Sequence, residues 1–151
     1  MEQRRTVLLA DTSTEFRILL REAMEKTGEF WVDVAQTGDE VLEKVQEQEP
    51  DILIMDEPTA PLTDNEVEIL FELVRKLKEK GVSIIYISHR LDEIFELSDR
   101  VTVMRDGQMI KTAEIQDITK NQLIFDMVGR ELTETYPKRN PKYGDKLLEV
   151  K

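Results

Sequence analysis

The chain predicts an α/β fold, a three-layer, doubly wound and mostly parallel sheet with helices on both faces. Three observations carry this. Short apolar runs alternate with stretches whose apolar residues recur at helical spacing. The runs Ile52–Met55 and Ile84–Ile87 are unbroken, as in strands covered on both sides. Four threonines stand three residues before Glu or Gln, each just ahead of a helical stripe.

The elements follow in order. Val7–Ala10 is the first strand, and Phe16, Leu19, Leu20, Ala23 and Met24 mark the first helix. Phe30 to Ala35 alternates, with Phe30, Val32 and Val34 on one face, which suits an edge strand. Val41, Leu42 and Val45 form a second helix, stopped by Pro50. Ile52–Met55 is a buried strand ending in Asp56. Val67, Leu70, Phe71, Val74 and Leu77 give a long helix ending before Gly81, and Ile84–Ile87 reads as a further central strand. A short helix (Leu91, Ile94, Phe95) leads to a strand at Val101–Met104. Asp106-Gly107 then signals a two-residue hairpin into Met109–Ala113, so the sheet should end antiparallel. Leu123, Ile124, Met127 and Val128 make a last helix closed by Gly129.

The predicted boxes are Thr12-x-x-Glu15, Thr37-x-x-Glu40, Thr63-x-x-Glu66 and Thr119-x-x-Gln122. Each allows a hydroxyl to accept from the amide three residues on while that residue's side chain returns to the cap. After Arg130 periodicity fails and Pro137, Pro141 and Gly144 break a charged stretch. The expected organisation is one domain over 1–129 and a linker-like tail over 130–151.

Composition narrows the function. Hydrophobic residues make up 40% of 151, enough for a core. With 21 basic against 32 acidic residues the net charge is −11, which repels phosphate backbones and argues against nucleic acid. There is no cysteine, which excludes disulfides, thiolate zinc sites and cysteine nucleophiles. No apolar run reaches membrane-spanning length, and MEQRRT is no signal-peptide core. A cytoplasmic domain without membrane insertion is expected; its oligomeric state is open.

Asp56-Glu57 is the sharpest local feature. In open α/β sheets ligands bind where the strands' carboxyl ends form a crevice. Asp11 follows the first strand and belongs to the same crevice, so Asp11, Asp56 and Glu57 are a candidate Mg²⁺ site. Strand-end acids also serve simply as solvated groups or helix caps. His89, the only histidine, follows the Ile84–Ile87 strand and is either a surface residue or a crevice residue. None of the six glycines lies in G-x-x-x-x-G-K-[ST] or G-x-G-x-x-G, so no phosphate-cradling loop is present.

Two stretches resemble known families. RTVLLADTSTEFRILLREAME and VDVAQTGDEVLEKVQEQEPDILIMD, within 5–56, resemble the first half of a response-regulator receiver domain. That resemblance implies that Asp11 is one of two Mg²⁺-holding acids, Thr12 standing where the other is usual. It makes Asp56 the phospho-acceptor. Receivers also use a hydroxyl, which Ser88 could supply, and a lysine, where this chain has Arg105-Asp106. LIMDEPTAPLTDNEV, IIYISHRLDEIFELSDRVTVMRDGQ and LIFDMVGREL, within 53–151, resemble the second half of an ABC-transporter ATPase, most like the first cassette of sugar importers. That resemblance implies that Asp56 is the Walker B aspartate and Glu57 the water-polarising glutamate. It places Ala60-Pro61-Leu62-Thr63 at the D-loop, makes His89 the switch histidine and gives LLEVK as the start of a following cassette. The Walker A loop, Q-loop and LSGGQ signature have no counterpart.

Both resemblances meet in Ile52–Asp56. The expectation is therefore an engineered or recombined α/β scaffold, receiver-like over 1–56 and ATPase-like over 57–129, with no evolved catalysis. Glu57 and His89 would be vestigial, no cofactor would be required and Mg²⁺ would be optional. Phosphorylation of Asp56 with Mg²⁺ and a nucleotide-binding remnant are the alternatives. Numbering strands along the chain, the flavodoxin-like order 2-1-3-4-5 with a C-terminal antiparallel strand is favoured over the P-loop order 2-3-4-1-5, because the first three strands can pair locally.

Overall fold

The strand at Arg5–Ala10 (β1) lies between Phe30–Ala35 (β2) and Ile52–Asp56 (β3) in a computed structural model that describes residues 4–129. Ser83–Ile87 (β4) pairs with the far side of β3, and all three pairings are parallel. Val7 faces Val32 and Ile52 across the ladders; Leu9 faces Val34 and Ile54. The connecting helices are Thr14–Glu25 (α1), Gly38–Gln48 (α2) and Asp64–Glu79 (α3).

Alternate residues of the central strands serve opposite faces. Val7, Leu9, Val32 and Ile54 pack under Phe16, Leu20 and Met24 of α1. Leu8, Leu53 and Met55 point the other way, against Val41 and Val45 of α2 and Phe71, Val74 and Leu77 of α3. Leu8, Leu9 and Leu53 are almost completely buried. Each contributes about 2 kcal/mol by leaving water, so the strands that present the site are the best anchored part of the molecule.

Beyond β4 the architecture departs from expectation. Arg100–Arg105 (β5) does not join β4; it forms a separate two-stranded antiparallel sheet with Gln108–Glu114 (β6). Neither five-strand order is therefore formed, and β1 does not sit beside β4 as the P-loop order requires. The physical reason is local pairing. The Asp106-Gly107 turn lets β5 satisfy its ladder with β6, while Val103 packs with Ile94 of Leu91–Leu97 (α4) and Leu123 of Lys120–Val128 (α5). A short 3-10 turn at Ile115–Asp117 precedes α5.

β4 is consequently an edge strand and not a central one. Ile84 and Tyr86 pack inward, but Ile85 is 49% and Ile87 41% exposed. An apolar run alone does not report whether both faces are covered.

Caps follow the expected sites with one shift and two partial boxes. Ser13, not Thr12, caps α1: its hydroxyl accepts from the Phe16 amide. Leu19 falls outside the buried stripe, at 67% exposure. Thr37 accepts from the Glu40 amide, but Glu40 returns to the Gln36 amide. Thr119 accepts from the Gln122 amide, and Gln122 turns to Asp126 instead. Glu66 accepts from both the amide and the hydroxyl of Thr63. Among the described residues no helix is long and apolar enough to cross a membrane. The tail over 130–151, with LLEVK, lies outside the described residues.

Candidate functional site

β1 and β3 are adjacent and parallel, so their carboxyl ends bring Asp11 and Asp56 together. The Asp11 carboxylate accepts from the Ser13 amide, which also holds the turn into α1. The Asp11 carbonyl accepts from Nη1 of Arg17 at 2.8 Å, and Arg17 Nη2 donates to Thr14 Oγ1 at 3.1 Å. Arg17 is buried beneath this loop. The Asp56 carboxyl is held above the usual carboxylate range, first by burial, then by the charge and hydrogen bond of Asp11 and the charge of Glu57. That is the signature of carboxyls sharing a small space.

Glu57 leaves the end of β3 with a backbone φ of 44°, the left-handed region that side chains disfavour. Its amide donates to the Ile87 carbonyl at 2.9 Å, which locks the turn onto the end of β4. The turn delivers the side chain to His89. Oε1 accepts from the His89 amide at 3.1 Å and lies 2.7 Å from Nδ1. A carboxylate oxygen only accepts, so Nδ1 carries the proton of this bond. Glu57 Oε2 is buried and has no hydrogen-bond partner among the described residues.

Behind this pair sits Glu93 of α4, 4% exposed. It receives Thr59, Tyr86, Ser88 and Arg90. Burial, then the hydrogen bond and charge of Glu93, push the Tyr86 hydroxyl well above its ordinary value.

Asp11, Asp56 and Glu57 line one cavity of about 980 Å³, with Leu42, Ile69 and Leu70 on its apolar wall. His89 does not line it; it reaches the cavity only through Glu57. Among the described residues no group of three or more His, Cys, Asp or Glu is arranged to hold a metal ion by itself.

The expected site residues thus divide. Asp11 joins Asp56, and Glu57 joins His89. Ser88 is not a free crevice hydroxyl, because it donates to Glu93 and accepts from the Arg90 amide. Arg105 is tied to the Asp126 carbonyl on α5, remote in the fold from the acidic strand ends. Arg17, Thr59 and Glu93 were not singled out from the sequence. A charged residue within an otherwise apolar helix stripe is their only signal, and it holds for Arg17 and Glu93.

An α/β sheet with an acid pair at the end of β3, answered by a histidine after β4, defines a strand-end site of an open α/β sheet. Comparison gives the particulars. A stretch of 101 residues, 67% of this chain, is 54% identical to the ribose import ATP-binding protein RbsA of Bacillus subtilis. Over 100 residues it is 58% identical to the RbsA protein of Lacticaseibacillus paracasei. Identity is 50% over 100 residues to the galactose/methyl galactoside import ATP-binding protein MglA of Fusobacterium nucleatum. The chain spans about a fifth (20%) of the length of each of these relatives. A solved ATP-binding cassette of an ABC transporter shares the fold at a TM-score of 0.50 and 18% identity, covering 82% of this chain and 67% of that one. No protein-family model matches the sequence.

These relatives overturn two expectations. The chain is not an inactive recombined scaffold, since two thirds of it aligns with ATP-binding proteins of sugar importers. The expectation that it is no enzyme falls with it. That expectation rested on a missing phosphate loop, and the chain covers only 20% of the relatives' length. What those glycines lack therefore says nothing about the activity. These relatives support the ABC ATPase resemblance, and none of them supports a receiver domain or a chimera.

Proposed function

We propose that this chain serves as an ATP-binding, ATP-hydrolysing part of a sugar-import ABC transporter, at the cytoplasmic face beside a membrane permease. The observation that carries this is the Glu57–His89 pair, Oε1 to Nδ1 at 2.7 Å, at the end of β3. The identity to ribose and galactose import ATP-binding proteins supports the substrate class. The net charge of −11 speaks against nucleic acid as a partner.

Mg²⁺ fits the acids. Burial, then the neighbouring Asp11 and Glu57, raise the Asp56 carboxyl, and Glu57 Oε2 is a buried oxygen without a partner among the described residues. Asp11 and Asp56 would hold the ion, leaving Glu57 Oε2 as the oxygen free to take a proton. Bound there, Mg²⁺ supplies positive charge for phosphate oxygens. Glu57 orients the attacking water and takes its proton; His89 fixes Glu57 in place by two hydrogen bonds to one oxygen. The Leu42, Ile69 and Leu70 wall excludes water from one side of the cavity.

The finer organisation we propose is one domain over 1–129 with a linker-like segment over 130–151. A receiver-like, flavodoxin-ordered arrangement of the first strands is supported by the position of β1 between β2 and β3.

Calorimetric titration of the purified chain with Mg²⁺ alone and with Mg²⁺ and ATP tests the reading. Saturable, Mg²⁺-dependent ATP binding that is weakened by Asp56→Asn is expected. Absence of saturation at millimolar Mg²⁺ and ATP overturns it.

A further inference from the structure

We infer that Glu93 is the positioning residue of the Glu57–His89 pair: a single buried carboxylate that ties together the two loops on which the pair is built. Its Oε1 accepts from Thr59 Oγ1 at 2.7 Å and from Arg90 Nη1 at 2.9 Å. Its Oε2 accepts from the Tyr86 hydroxyl at 2.8 Å and Ser88 Oγ at 3.1 Å. Thr59 lies two residues after Glu57, and Ser88 and Arg90 flank His89 on either side. Both loops therefore terminate on one group.

The linkage is tight on each side. Thr59 is 2% exposed, and the turn that carries it is closed by the Ala60 amide donating to the Glu57 carbonyl at 3.1 Å. Ser88 Oγ donates to Glu93 and accepts from the Arg90 amide at 3.0 Å, which wraps the chain around His89. With two donors on each oxygen, Glu93 has no free position for a ligand, so it acts only through the residues it holds. Glu93 itself is buried, its donors run from buried Thr59 to exposed Arg90, and the His89 ring it places is largely exposed. The geometric part of the inference is independent of nucleotide chemistry, while its place in catalysis rests on the function proposed above.

Because the chain has one histidine, ring ¹⁵N NMR reports on His89 without ambiguity. At about pH 9, above the usual histidine range, the wild type should show mainly the Nδ1–H tautomer that faces Glu57. Glu93→Gln keeps the shape but turns one acceptor oxygen into a donor, so it cannot receive both pairs of groups. The Nδ1–H to Nε2–H ratio should fall by roughly an order of magnitude, as expected for loss of one charge-assisted hydrogen bond. Thr59→Val, which cuts a single link, should move the ratio the same way by less, and serves if Glu93→Gln does not fold. Val32→Ala, a core truncation on the α1 face of the sheet in a separate cluster, should leave the ratio unchanged. An unaltered tautomer ratio in folded Glu93→Gln or Thr59→Val overturns the inference, as does an equal shift in Val32→Ala. Failure of ATP binding alone would leave these outcomes intact and count only against the proposed function.

Discussion

Glu57 and His89 are 32 residues apart in the chain, yet one oxygen of the glutamate receives both the amide and the ring of the histidine. Adjacency of β3 and β4 makes this possible. Asp56 pairs with Ile87 in the ladder, so the residues after each strand emerge side by side. The left-handed turn at Glu57 then swings its carboxylate across the strand ends. Strain of this kind persists only where surrounding contacts hold it, here the bond from the Glu57 amide to the Ile87 carbonyl.

Under the proposed function, Glu57→Gln retains an acceptor for His89 but loses the base. Phosphate release from ATP should fall by about 100-fold or more, the range a general base supplies, while ATP affinity measured by calorimetry stays within a few-fold. Equal loss in binding and turnover would show that Glu57 holds substrate and does not activate water.

Asp56→Asn tests the crowding of acids. The folded-state pKa of Asp56 is raised, so its ionised form is the disfavoured one. The penalty is fully present above the folded-state pKa and is relieved as pH falls through it toward the unfolded value of 3.8. Asparagine removes the charge at every pH. The variant should therefore melt higher than wild type at neutral pH, and the two curves should converge in acid. Added Mg²⁺ should raise the wild-type Tm and leave that of Asp56→Asn nearly unchanged. A gap that widens in acid contradicts the shared-carboxyl geometry.

Much of the scaffold could be read from residue pattern. The β1, β2 and β3 runs, the α2 and α3 stripes, and the Asp106-Gly107 hairpin all report local physics, and local physics decided them. The role of β4 was not legible, because Ile84–Ile87 has the same apolar character whether one face or two are covered. Nor was the detachment of β5, which depends on a competition between β4 and β6 for the same ladder. At the site, Asp11, Asp56 and Glu57 were legible as strand-end acids. Their partition was not: Oε1 of Glu57 turns to His89 because of a backbone conformation that no sequence pattern announces. Glu93 was hidden for a related reason, since a buried carboxylate is recognised by its donors, and these come from the loop after β3, from β4 and from the turn after it.

Lys44→Met addresses a surface link on β2, the edge strand beside β1. Lys44 Nζ donates to Asp33 at 2.7 Å and to the Val34 carbonyl at 2.8 Å. Burial raises the Asp33 pKa, but hydrogen bonds from Lys44, Gln48 and the Val34 amide outweigh it and leave the carboxyl below its ordinary value. A lowered carboxylate pKa contributes stability above the unfolded value of 3.8, lost as pH falls through the folded-state pKa. The variant should lose about 0.5–1 kcal/mol at neutral pH, modest because both groups are partly exposed. Urea titration at several pH values should show this difference shrinking below about pH 4.

Gly107→Ala probes the independence of the hairpin. Asp106 and Gly107 have φ of 52° and 73°, the paired left-handed angles of a type I′ turn. A Cβ at Gly107 would meet nothing within 4 Å, so the cost is one of backbone conformation, about 1 kcal/mol, and not of collision. β5 and β6 share no ladder with the main sheet. Hydrogen exchange should therefore accelerate in residues 100–114 and remain unchanged in β1 and β3, whose side chains belong to a different core. Uniform acceleration across both sheets would mean that the hairpin and the strand-end site unfold as one unit, and that the Glu57–His89 geometry depends on the hairpin as well as on Glu93.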